Sequence, residues 1–197
     1  MDLLSFCKEK KYWGTKDIPH KYLQRYYSKE FTPHRYKEIN LVEIGVRDGS
    51  SFKLWGSFFP NSKIYGVDIN GINGNYGGID VDLNSLDNVK FIQGNAYDDT
   101  IVNQFENNSI DYLIDDGPHT ISSQLSILKK YYNKIKVGGK IIIEDVGCDE
   151  NTNNPPVEEC IRQIEEKSKL YSYLYKCFDF REIGNHYSVL IELTKTK

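Results

Sequence analysis

With 197 residues, 25 basic and 28 acidic side chains and a formal charge of −3, the chain is long enough for one domain with a full core and too short for two ordinary ones. Its weak acidity lacks the basic footprint of a nucleic-acid binder. Hydrophobic residues at 39% and charged residues at 27% suit a soluble globular protein, and no apolar run approaches the roughly 20 residues that a membrane span requires.

Residues 1–38 are polar, aromatic and rich in Lys. They predict one or two short helices divided at Trp13-Gly14-Thr15-Lys16: a helical cap on the domain edge, or a lid over a cleft. The main domain is expected at 39–197. It opens with Asn40-Leu41-Val42-Glu43-Ile44-Gly45, a short apolar run that ends in Gly and predicts a buried strand. Residues 50–59 follow with helical spacing of Phe52, Trp55 and Phe58, stopped by Pro60-Asn61. Further strands are expected at 63–69, 89–93, 110–115 and 140–144, with Gly- and Asn-rich loop at 70–82. Helices are expected near 100–105, at 119–132 and from Pro155-Pro156 to Lys169. Val137-Gly138-Gly139 predicts a turn before the fifth strand. Two last strands, 171–180 and 186–193, follow without a helix between them. This pattern predicts an α/β fold: a Rossmann-like, seven-stranded methyltransferase-type sheet, mostly parallel, with helices on both faces and a C-terminal antiparallel hairpin.

Glu43-Ile44-Gly45-Val46-Arg47-Asp48-Gly49 closes the first strand. Gly45 and Gly49 let the backbone turn sharply and approach a ligand. The spacing is not G-x-G-x-x-G, so the pyrophosphate fingerprint is absent. A ligand with a sugar and an amino-acid tail but no phosphates suits it better; a tight turn with no ligand has the same needs. Asp68 ends the second strand about 20 residues on, where an acid can accept from ribose hydroxyls. Gln93 and Asn95 at the third strand's end can contact an adenine edge, and Asp115 ends the fourth. These tips together predict S-adenosylmethionine.

Asp115-Asp116-Gly117-Pro118-His119 follows the fourth strand and Glu144-Asp145 the fifth. If those strands are neighbours, Asp116, Glu144 and Asp145 converge with His119 one turn away. Clustered carboxylates repel unless a cation neutralises them, and oxygen ligands favour Mg²⁺, Mn²⁺ or Ca²⁺ over zinc. The alternative is that they are solvated loop acids and helix caps. Histidine is the side chain suited to taking a proton at neutral pH, so His119 can act as general base; the alternative is an exposed residue of a helix's first turn.

Gly14-Thr15-Lys16-Asp17 with His20, Tyr22 and Tyr26, then Leu41-Val42-Glu43-Ile44-Gly45, Ile114-Asp115-Asp116-Gly117-Pro118-His119 and Ile143-Glu144-Asp145 occur in that order. The order resembles, over nearly the whole chain, the metal-dependent sugar O-methyltransferases of macrolide biosynthesis, the mycinamicin 2''-O-methyltransferase type, and their shorter rhamnosyl-methyltransferase relatives. The resemblance implies S-adenosylmethionine as donor and a small-molecule sugar hydroxyl as acceptor. It also implies Asp116, Glu144 and Asp145 as magnesium ligands, His119 as base, and Glu43, Gly45, Asp68 and Asp115 as cofactor-pocket positions. The family's usual Gly-Thr-Asp-Lys is here Gly14-Thr15-Lys16-Asp17. The larger members' extra N-terminal domain, which assembles oligomers and shapes the acceptor site, is not expected at this length, so a homo-oligomer stays open. Other readings are a methyltransferase of a catechol-like diol, a hydroxylase of the cephalosporin-biosynthesis type, and a non-catalytic module that binds S-adenosylmethionine.

Several features point elsewhere and are read as structural. Asn154-Pro155-Pro156-Val157 is similar to the N/D-P-P-Y motif of amino-methyltransferases, but it follows the fifth strand and lacks the aromatic. It is expected to be a loop with Pro pre-setting a helix. Lys8, Lys10, Lys11 and Lys16 suggest a solvated basic face, and Trp13 and Trp55 core positions. Cys7, Cys148, Cys160 and Cys177 have no CxxC spacing; without a signal peptide, a cytoplasmic setting with free thiols is expected.

Overall fold

Branched apolar runs fall into extended backbone wherever alternate side chains can enter opposite layers. Seven such runs form one sheet in the computed structural model: β1 (Asn40–Ile44), β2 (Lys63–Asp68), β3 (Val89–Gln93), β4 (Ile110–Asp115), β5 (Ile135–Ile143), β6 (Tyr173–Asp179) and β7 (Val189–Lys195). The structure describes residues 1–12, 14–72, 82–148, 153–183 and 186–197. Trp13, most of the predicted 70–82 loop and the centre of the turn before β7 lie outside the described residues.

The strand order is β3-β2-β1-β4-β5-β7-β6. Strands β1 to β5 pair in parallel, and β7 runs antiparallel to both β5 and β6. The order reverses between β1 and β4, so the connections that leave them run to opposite faces of the sheet, the place where open α/β sheets bind ligands. The helices are α1 (Leu3–Glu9), α2 (Ser28–Phe31), α3 (Ser50–Phe58), α4 (Asp99–Val102), α5 (Ile121–Lys130) and α6 (Val157–Leu170). Gly49 caps α3 with φ +81°, and Thr120 caps α5 by accepting from the Ser123 N–H.

Two cores flank the sheet. Val42, Leu113, Ile141 and Ile191 face α4, α5 and α6. Leu41, Ile114, Ile142 and Leu190 face α3 and the N-terminal segment, whose Leu3, Phe6, Tyr22, Leu23, Tyr26, Tyr27 and Phe31 are buried with them. These side chains of the N-terminal segment therefore cover a sheet face. A π-helical turn at Leu23–Tyr27 leads into α2 and brings these rings down on Trp55 and Phe59.

Strand β5 starts earlier than the glycines suggest. A register shift opposite Ile110 and Tyr112 absorbs the extra residues, so Val137, Gly138 and Gly139 stay within the strand. None of the four cysteines forms a disulfide; Cys7, Cys148 and Cys160 are buried and Cys177 is exposed. No helix among the described residues is long and apolar enough to cross a membrane.

Candidate active site

The tips of β1, β4 and β5 meet where β1 turns through Gly45. Its φ is +83°, and a Cβ there would lie 1.9 Å from the Asp116 carbonyl oxygen. Only glycine lets the two turns pack this closely. Asp68, at the end of β2, accepts from the Arg47 N–H at 2.9 Å and the Asn70 N–H at 2.9 Å, bracing the loop between Gly45 and Gly49. Gln93 pairs beside Asp68 in the sheet register and is exposed. Asn95 closes the next turn, accepting from the Tyr97 N–H and donating to Asp98. The buried Asp115 accepts from the Tyr97 hydroxyl at 3.0 Å, while its second carboxylate oxygen has no protein partner. Burial pushes its carboxyl up to about 6, with the Tyr97 bond pulling the other way.

Asp116, His119 and Asp145 converge, each offering a ligand atom within 4.8 Å of the others. His119 Nε2 lies 3.8 Å from Asp116 and 3.9 Å from Asp145. Both His119 (φ +56°) and Asp145 (φ +51°) occupy left-handed backbone, a conformation that side chains adopt only when their surroundings hold them there. The two carboxylates suit a divalent cation, with the His119 imidazole standing beside them.

The other acids lie one layer deeper. Along a strand, side chains alternate between faces, so Glu43 on β1 and Glu144 just past β5 point under the N-terminal segment. There they meet Lys16, whose ammonium is 3.2 Å from Glu43, 2.9 Å from Asp116 and 2.8 Å from Glu144. Glu144 also accepts from the Tyr27 hydroxyl, and Glu43 from Ser51. Glu144, expected from the sequence as a third metal ligand, is thus held by Lys16 and Tyr27, and Lys16 links it to Asp116. Glu43 lies between Lys16 of the N-terminal segment and Ser51, just past the glycine loop.

Burial alone would lower the Lys16 pKa. Asp116, Glu144 and Glu43 outweigh it and hold the ammonium well above the usual lysine range. One ammonium cannot balance Glu43, Asp116, Glu144 and Asp145 together. Glu144 is accordingly held above the usual carboxyl range by burial and by its acidic neighbours Asp116 and Asp145, against the pull of Lys16. Asp145 is raised by burial and by Asp116. This residual repulsion is what a divalent cation on the outer group would relieve.

The N-terminal segment supplies further partners. Tyr22 donates to Asp145 at 2.6 Å, and His20 stands 3.3 Å from the same carboxylate and 3.0 Å from Ser188. The reading of a solvated basic run holds for Lys8, Lys10 and Lys11, which are exposed, but not for Lys16, only 2% exposed. Nothing in local spacing separates Lys16 from the others; only its place beside Gly14 and His20 in the N-terminal motif marks it.

A family model described as a methyltransferase domain matches residues 49–188. Mycinamicin VI 2''-O-methyltransferase of Micromonospora griseorubida is 27% identical over 132 residues, which cover 61% of this chain and 30% of that protein. The 8-demethyl-8-(2-methoxy-alpha-L-rhamnosyl)-tetracenomycin-C 3'-O-methyltransferase of Streptomyces olivaceus is 27% identical over 129 residues, covering 61% of this chain and 31% of that one. This chain spans about a third of the length of these curated relatives. In fold it is similar to MycE methyltransferase of the mycinamycin biosynthetic pathway, solved with Mg, SAH and mycinamycin VI. The TM-score is 0.69 at 21% identity, over 100% of this chain and 55% of that one.

Proposed function

The chain belongs to the methyltransferase-domain family, and from that premise we propose that it moves the methyl group of S-adenosylmethionine to a hydroxyl of a sugar or glycoside, assisted by Mg²⁺ or Mn²⁺. The observation that carries this reading is the convergence of Asp116, His119 and Asp145 beside the Gly45 turn. The sugar O-methylation named for the relatives supports the acceptor class.

In this reading, the Gly45–Gly49 loop lets backbone come close to the donor's amino-acid and sugar portions. Asp68 keeps free lone pairs for ribose hydroxyls while bracing Arg47 and Asn70. The unpartnered oxygen of Asp115 suits a donor group of the bound ligand, since a buried acceptor left alone is costly. Gln93 and Asn95 border the adenine end. Asp116 and Asp145 would hold the divalent ion. When bound, the ion acidifies a nearby hydroxyl. His119 Nε2 takes the acceptor's proton. With S-adenosylmethionine held by these residues, the acceptor oxygen would take the methyl group from the donor's sulfur, and the carbon–sulfur bond would break to leave S-adenosylhomocysteine. The residues contribute mainly alignment and removal of one proton.

Isothermal titration of S-adenosylmethionine and S-adenosylhomocysteine, with Mg²⁺ and with chelator, tests the donor and the metal. Turnover is then measured on glycosides. His119→Ala is expected to bind the donor as the unaltered chain does and to lose about 10²–10⁴-fold in turnover. Unchanged turnover would remove His119 as the base, and absence of donor binding would sink the methyltransferase reading.

A further inference from the structure

Asn154 takes no part in the methyl-transfer reading, yet its side chain bridges the two turns that form the site. Its Nδ2 donates to the carbonyl of His119 at 2.7 Å and to the carbonyl of Cys148 at 2.5 Å. Its Oδ1 accepts from the N–H of Ile121 at 2.8 Å. Cys148 in turn donates its N–H to the carbonyl of Asp145 at 3.1 Å. One planar amide therefore joins the turn that carries His119 to the turn that carries Asp145. Only an amide offers two donors and an acceptor in this arrangement.

Each of the two turns it joins carries a residue in left-handed backbone, with φ +56° at His119 and +51° at Asp145. Such backbone relaxes unless several contacts oppose it. The bond to the His119 carbonyl acts on the strained residue itself. The bond to Cys148 acts on the closed 145–148 turn. The Pro155-Pro156 pair that follows limits the backbone freedom of this loop before α6.

We infer that Asn154 is a positioning residue that places Asp145 beside Asp116 and His119, and with it the carboxylate geometry offered to a divalent cation. The inference rests on the metal-assisted reading above. A simpler role would be to support the N-terminus of α5 through the Ile121 N–H. The two are separable, because Thr120 caps the same helix through Ser123.

The test is Mn²⁺ binding by electron paramagnetic resonance on the full chain, for the unaltered protein, Asn154→Ala and Thr120→Ala. Melting temperature and S-adenosylhomocysteine affinity are recorded alongside. Asn154→Ala is expected to weaken Mn²⁺ about tenfold or more with S-adenosylhomocysteine affinity within about threefold; Thr120→Ala should leave Mn²⁺ within about threefold. If Asn154→Ala does not fold, Asn154→Ser is read by the same criteria. Wild-type Mn²⁺ affinity in the Asn154 variant overturns the inference alone. Equal weakening in both variants also overturns it, in favour of helix support. Failure of the unaltered protein to bind Mn²⁺ overturns the metal reading, and the inference with it.

Discussion

Lys16 sets its one charge among Glu43, Asp116 and Glu144, all within 3.2 Å. Removing one partner of a buried ionic group leaves the rest uncompensated, at a cost of about 3–5 kcal/mol. Lys16→Met is expected to lose that much unfolding free energy in urea melts, and saturating Mg²⁺ should restore part of it. An unchanged midpoint would mean that the carboxylates need no fixed cation. Asp115 gives a pH signature. Its carboxyl is raised to about 6 by burial, against an ordinary value of 3.8. Between those values the folded chain keeps a proton that the unfolded chain has released, so stability is full below about pH 4 and falls as pH rises through about 6. The loss is on the order of 3 kcal/mol. Asp115→Asn should shrink the difference in unfolding free energy between about pH 4 and about pH 7 by that amount; an unchanged difference would contradict it. At this scale the sequence grouped Asp116, Glu144 and Asp145 with His119 because each follows a strand end, and Asp116, His119 and Asp145 do lie together. The pull of Lys16 on Glu144 was not legible, since its partners Asp116 and Glu144 lie 100 and 128 positions away.

Strands announced themselves more clearly than helices. β1 to β4 fall where apolar alternation and flanking Gly or Asp place them, because a buried strand needs such a run and a turn at each end. β5 was misread at its start because Gly138-Gly139 looks like a turn; pairing with β4 through a bulge overrides that local preference. The hairpin of β6 and β7 was legible from the missing helix between them. The N-terminal segment was the least legible element. Tyr22, Leu23, Tyr26, Tyr27 and Phe31 have helical spacing, but spacing cannot say which surface their rings cover. That surface is a sheet face whose own acids require donors: Tyr26 reaches Glu192 at 2.7 Å, and Tyr27 reaches Glu144.

For the molecule as a whole, residues 1–38 belong to the same core as residues 39–197. Leu3, Phe6, Tyr22, Leu23, Tyr26, Tyr27 and Phe31 are all buried against the sheet. Each contributes roughly 1.5–3 kcal/mol by burial, which together rivals the roughly 5–15 kcal/mol that holds a typical domain folded. A fragment of residues 39–197 is therefore expected to aggregate or to melt without cooperativity, as read by size-exclusion chromatography and thermal denaturation. A sharp transition within a few degrees of the full chain would refute a shared core. The same connectivity dictates an order of assembly during synthesis. Lys16, His20 and Tyr26 leave the ribosome before their partners, since Glu144, Ser188 and Glu192 follow 128, 168 and 166 positions later. At about 5–20 residues per second, the polar groups of this aromatic stretch wait many seconds for those partners, until translation of β7 is complete. Folding then closes last to first, and a chaperone that shelters exposed rings on a growing chain is the helper this topology calls for.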